Sequence, residues 1–130
     1  MQRYIFFKQN VEFANLECKM KLPNNKSAYI DIEKLKGYCL NFSHERGKHK
    51  ARLFSSILGL KKENAEQLKN IILEAVKTND AIEVDGSIYG KRFIVEFNLK
   101  NNKGEARLRS TWIIRKDENH PRLTSCYIVK

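Results

Sequence analysis

Residues 89–115 read YGKRFIVEFNLKNNKGEARLRSTWIIR, and the fold class turns on them. Two runs of alternating apolar and polar residues, Tyr89–Leu99 and Ala106–Arg115, flank Asn101-Asn102-Lys103-Gly104. Alternation with a period of two predicts half-buried strands, because successive side chains point to opposite faces of a sheet. Asparagine and glycine tolerate the backbone angles of a tight reversal, so the residues between the runs predict a hairpin. On the second strand Arg107, Arg109, Thr111, Ile113 and Arg115 share one face. Leu108, Ser110, Trp112 and Ile114 share the other, the face expected to pack on helices.

Working outward, Asp117–Pro121 predicts a second turn and Arg122–Val129 a last strand carrying Arg122, Thr124, Ser125 and Tyr127. Upstream, Ala81–Val84 predicts a short strand closed by a turn at Asp85-Gly86. Before residue 80 the apolar period changes. Ala65, Leu68, Ile71, Ile72, Ala75 and Val76 form one stripe of a helix over Lys62–Thr78. Ala51, Phe54, Ile57 and Leu58 form another over Lys48–Leu58, which Gly59 closes. Ile32, Leu35, Tyr38 and Cys39 recur at helical spacing. Ala28–Ile32 reads as a short strand or as the approach to that helix, with Asp31 as its cap. Leu22–Asn25 reads as a turn around Pro23, and Asn41–Gly47 as a polar loop. Helices first and an antiparallel meander afterwards predict an α+β protein, with the helices on one face of a roughly four-stranded sheet.

The chain of 130 residues fits one domain. A hydrophobic fraction of 42% supplies a core and argues against global disorder. Lys and Arg number 25 against 15 Asp and Glu, a net charge of +10 that points to a polyanionic partner. Two stretches carry the excess. Lys34–Lys62 holds eight cations against Glu45, and Lys91–Lys116 holds eight against Glu96 and Glu105. They are either two solvated faces or, if the fold joins them, one electropositive surface. No apolar run is long enough to span a bilayer, and no signal peptide is read at Met1–Lys8, so no membrane partner is expected. Three widely spaced cysteines, Cys18, Cys39 and Cys126, suggest no disulfide framework and point to a reduced, cytoplasmic protein.

His44-Glu45-Arg46-Gly47-Lys48-His49-Lys50-Ala51-Arg52 is the most unusual segment. It places cations at a helix N-terminus, where each opposes the helix dipole at a cost of about a few tenths of a kcal/mol. That arrangement suits an anion docked on free N–H groups with basic side chains around it. The plainer alternative is a solvated basic helix start. The strand face Arg107-x-Arg109-x-Thr111 is a second candidate phosphate surface, since guanidinium grips phosphate with two donors. Its plainer alternative is a sheet face made soluble by arginine. No nucleotide-binding glycine motif occurs, and no paired carboxylates of a metal nuclease. His44 and His49 are five apart, off the spacing of a helical zinc pair, and neither a metal nor a cofactor is expected. Cys39 and Cys126 read as buried packing, and His120 as a turn residue.

From Met20 onward the chain resembles a family of small bacterial domains of unknown function. The resemblance lies in Lys21-Leu22-Pro23-Asn24, Lys36-Gly37-Tyr38-Cys39-Leu40-Asn41, Arg46-Gly47-Lys48-His49-Lys50-Ala51-Arg52 and Asn64-Ala65-Glu66. It continues in Tyr89-Gly90-x-Arg92, Arg109-Ser110-x-Trp112-Ile113-Ile114 and Pro121-Arg122-Leu123-x-Ser125-Cys126-Tyr127. Such domains occur as stand-alone proteins beside a small partner and as C-terminal modules of secreted polymorphic toxins. The resemblance therefore implies a toxin paired with a small acidic antitoxin or immunity protein. The element order is similar to that of barnase-like, RelE-like and EndoU-like ribonucleases. Family members begin near the position of Met20, so residues 1–19 are read as an N-terminal extension or alternative start and residues 20–130 as a single domain.

The resulting expectation is a metal-independent endoribonuclease acting on RNA. His49 is the first candidate acid or base and His44 the second, because imidazole titrates near neutral pH. Tyr127 is a further proton donor. Arg46, Lys48, Lys50, Arg52, Arg107, Arg109, Thr111, Arg122 and Ser125 would hold phosphate or base. The rival is a non-catalytic nucleic-acid-binding or regulatory module on the same basic surface. A third reading, the antitoxin of such a pair, fits a basic chain less well.

Overall fold

The computed structural model describes residues 20–129. Residues 1–19, read above as an extension, lie outside the described residues. Strand β1 is Met20–Lys21. Helix α1, Ile32–Lys34, runs into a π-helical turn at Leu35–Cys39. Helix α2 spans Lys48–Leu58 and helix α3 spans Ala65–Thr78. Strands β2, Asp80–Ser87, β3, Gly90–Lys100, β4, Glu105–Arg115, and β5, Arg122–Val129, complete the chain. The sheet is antiparallel in the order β1-β2-β3-β4-β5.

The architecture is α+β, with five strands where four were expected. The extra strand is two residues long, too short to show alternation, and pairs Met20 with Ala81 and Lys21 with Asp80. Alternation sorts the sheet into two faces. Ala81, Val95, Ser110 and Cys126 are buried in one row, with Phe93, Trp112 and Leu123 beside them. The helices cover this inner face with Ala51, Phe54 and Leu58 of α2 and Leu68, Ile72 and Val76 of α3. Burying a side chain such as Phe54 contributes about 1.5–3 kcal/mol. The polar atoms in this layer are satisfied: Trp112 Nε1 donates to Ser110 Oγ at 2.9 Å, and Ser110 Oγ to the Val95 carbonyl at 2.8 Å.

Local details differ from the sequence reading at the β2–β3 turn, and they decide between the two readings of Ala28–Ile32. The turn between β2 and β3 is Ile88-Tyr89, not Asp85-Gly86. The register shifts between Val84 and Ser87, so the Asp-Gly pair marks a bulge and the strand continues past it. Ala28–Ile32 forms no strand; Tyr29 makes an isolated parallel bridge to Arg122 on the β5 edge. Asp31 caps α1 as expected, its side chain accepting from Glu33 N at 3.0 Å. Gly59 closes α2 at φ 69°. The β3–β4 turn is tied to that helix end, because Asn101 Nδ2 donates to the Leu58 carbonyl at 2.9 Å. Among the described residues no helix is long and apolar enough to cross a membrane.

Candidate functional site

Among the described residues the outer face of the sheet carries no helix, and its rows follow from strand register. One row runs Glu96–Arg109–Tyr127 and the next Asn98–Arg107–Val129, across β3, β4 and β5. Glu96 binds both arginines: Arg109 Nε donates to Oε2 at 2.6 Å and Arg107 Nε to Oε1 at 2.9 Å. Arg107 also donates to Asn98 Oδ1 at 3.1 Å, and Arg109 to the Tyr127 hydroxyl at 3.4 Å. Partial burial pushes the Glu96 carboxyl up, but the hydrogen bonds from Arg109 and then Arg107 outweigh it and hold the carboxyl below its ordinary range. Its bonds with Tyr127 and Glu96 push Arg109 further up, so this guanidinium is permanently charged.

Helix α2 reaches the same row. The Lys50 ammonium lies 4.3 Å from the centre of the Tyr127 ring, and the Arg109 guanidinium carbon 5.9 Å from it. Cations favour the negative face of an aromatic ring. The two basic stretches therefore meet at Tyr127. Lys50 also stands 6.0 Å from the Tyr38 ring, whose neighbour is the His44 imidazole, edge-on at 4.6 Å. The sequence from His44 through Tyr38, Lys50, Tyr127 and Arg109 to Glu96 is one continuous array of titratable and charged groups.

The His44–Gly47 turn sets this geometry. His44 Nδ1 accepts the N–H groups of Arg46 and Gly47, both at 3.1 Å, and the His44 carbonyl accepts Lys48 N–H at 3.0 Å. This fixes the ring and leaves Nε2 as the nitrogen not engaged by the turn. Of the first-turn donors of α2 it satisfies the Lys48 N–H, which is then unavailable to the anion expected there. A Cβ on Gly47 would lie 2.5 Å from the Tyr38 carbonyl oxygen, so only glycine allows this approach.

Residues 21–130 match the family model described as a domain of unknown function, DUF6883. The chain belongs to this family. Neither the curated proteins nor the solved structures give a match.

The remaining residues of the DUF6883 domain named from sequence fall in three places. Thr111 and Ser125 are paired across β4 and β5 on the outer face, and Thr111 Oγ1 is 2.7 Å from Thr124 Oγ1. Arg46, His49 and Arg52 are exposed around the start of α2, and Lys48 is half-buried. Arg46 and Lys48 bond His44 through their backbone N–H groups, but no side chain of the four is hydrogen-bonded to the array among the described residues. Arg122 is committed elsewhere. Its Nε and Nη2 bind Glu118 at 2.8 Å each, and its guanidinium stacks 4.9 Å from the Tyr29 ring. Cys39 and Cys126 are buried as expected. Burial pushes both thiols up, against a hydrogen bond from the Cys126 N–H that pulls Cys39 down.

Two members of the array, Glu96 and Tyr38, were not named as site residues. Glu96 was legible: counting back from the Asn101–Gly104 turn pairs it with Arg109. Tyr38 was not, because a π-helical turn, with Leu40 N donating to the Leu35 carbonyl at 2.9 Å, positions it beside His44.

Proposed function

We propose that this domain is a metal-independent endoribonuclease of toxin type that acts on cytoplasmic RNA, with a small acidic antitoxin or immunity protein as its partner. The supporting observation is that Arg109 bonds both the Glu96 carboxylate and the Tyr127 hydroxyl while Lys50 stands over the Tyr127 ring. Cleavage without metal needs a base for the 2′-OH proton, an acid for the leaving oxygen and cations for the charge growing on phosphorus. Lys50, Arg107 and Arg109 supply the cations. Glu96 takes the 2′ proton. At rest its two arginines suppress its basicity; a phosphate that takes over their donors restores it. Tyr127 donates to the leaving oxygen, and its proton is replaced from solvent. His44 positions the turn and α2. The order of helices and meander supports a likeness to barnase-like, RelE-like and EndoU-like ribonucleases, and the net charge of +10 suits both RNA and an acidic inhibitor.

The test is incubation of the purified protein with total RNA in EDTA. Cleavage is expected, and Glu96→Gln and Tyr127→Phe each lower its rate about 10²–10⁴-fold while RNA affinity stays within a few-fold. Arg109→Ala lowers both. Intact RNA bound with full affinity supports the alternative, a non-catalytic RNA-binding module. The ion pairs that quench Glu96 at rest are the observation in its favour. Cleavage lost in His49→Ala alone, with affinity kept, moves proton transfer to that exposed histidine.

A further inference from the structure

The turn between β2 and β3 ends in Ile88 and Tyr89, which are 75% and 68% exposed and lead the exposed large apolar side chains of the described residues. Nothing in the core requires them there. The turn is nonetheless firmly held. Ser87 pairs with Gly90, Tyr89 N donates to Ser87 Oγ at 3.1 Å, and Lys116 N donates to the Tyr89 carbonyl at 3.2 Å. Gly90, at φ 154°, lies so close to the Ile114 and Arg115 backbone that a Cβ has no room. Exposed Lys91, Arg92, Arg115 and Lys116 surround the tip, against Asp85 and Asp117. A rigid, apolar, aromatic tip in a cationic collar fits a polyanion whose flat apolar faces are accessible, which is single-stranded rather than double-stranded RNA.

The tip also stands in line with the site. Strand β4 carries Arg109 in the Tyr127 row and Arg115 beside Gly90, six residues apart or about 20 Å. We infer that Tyr89, supported by Ile88, is a base-stacking anchor for single-stranded RNA several nucleotides away from the phosphate held at Arg109. This deepens the ribonuclease reading and rests on it. It defines a substrate that spans the length of β4, within the roughly 4–16 nucleotides that comparable stacking surfaces cover.

The experiment is fluorescence anisotropy with labelled single-stranded RNA of about three and about ten nucleotides. The intact protein binds the longer RNA more tightly. Tyr89→Ala lowers the ratio of long to short affinity about tenfold or more, Tyr89→Phe preserves it, and Ile88→Ser lowers it less. Both side chains are exposed, so unchanged thermal unfolding confirms that each variant is folded. A ratio unmoved by Tyr89→Ala, or equal losses on both lengths, overturns the anchor while leaving the Arg109 site standing. If the intact protein binds neither RNA, the anchor and the ribonuclease reading fall together. Binding to phosphatidylserine vesicles that Tyr89→Ala abolishes, with RNA affinity unmoved, assigns the tip to a lipid surface and overturns it too.

Discussion

Glu96 holds one carboxylate between two guanidinium groups, and its titration is the plainest readout of the array. Its folded-state value is depressed, so its contribution to stability is full above the unfolded value, near 4.3, and is lost as pH falls through the folded one. Comparing urea unfolding of the wild type and Glu96→Gln, the wild-type advantage is full at neutral pH, begins to fall near the unfolded value and is gone only below the depressed folded-state value. It stays within about 1 kcal/mol per ion pair, because Arg107 and Arg109 are partly exposed and solvent screens them. An advantage that grows on acidification contradicts the assignment. The two histidines separate in the same assay. His44→Ala removes an acceptor from two backbone N–H groups and costs about 1 kcal/mol, as loss of a helix cap does. His49→Ala, on an exposed position, stays within about 0.5 kcal/mol. Equal losses contradict the capping role of His44.

Between residue and molecule, the site depends on how the α2 start sits against the π-helical turn. Gly47→Ala places a methyl against the Tyr38 carbonyl, which has no room to yield without moving the turn. The expected result is a loss of more than about 1 kcal/mol in thermal unfolding together with a large loss of RNA cleavage, since Lys50 moves with the helix. An active, fully stable Gly47→Ala protein shows that the turn does not set the position of Lys50. Much of this level was legible in the residues. The Asn101–Gly104 turn fixes the β3–β4 register and hence the Arg107–Arg109 face, and Phe54 and Leu58 fix the buried side of α2. What depends on contacts between distant elements was not. Lys50 over Tyr127 joins residues far apart in the chain. The Arg122–Glu118 pair is local, four residues apart, yet it withdraws a cation that composition alone counts as free. Asp85-Gly86 shows the local limit, because the same dipeptide serves a turn or a bulge and only the pairing of Ser87 with Gly90 decides between them.

At the scale of the whole molecule the net charge of +10 governs association. Binding to single-stranded RNA releases about 0.7 counterion per phosphate contacted, so log K falls linearly with log salt. With Lys50, Arg107 and Arg109 in contact, a slope of about −2 is expected from filter binding across a salt series, and Arg109→Ala makes it shallower by about 0.7. A flat response points to a protein partner instead. The bond from Asn101 to the Leu58 carbonyl has a kinetic meaning at this scale. A helix can normally fray from its last turn while a hairpin forms or melts on its own schedule. Here the reversal that closes β3 on β4 is also the stop for α2, so neither end matures without the other. Lys50, on that helix, and Arg109, on that hairpin, consequently belong to one cooperative unit, and the array they share at Tyr127 assembles in a single event rather than by docking two finished halves.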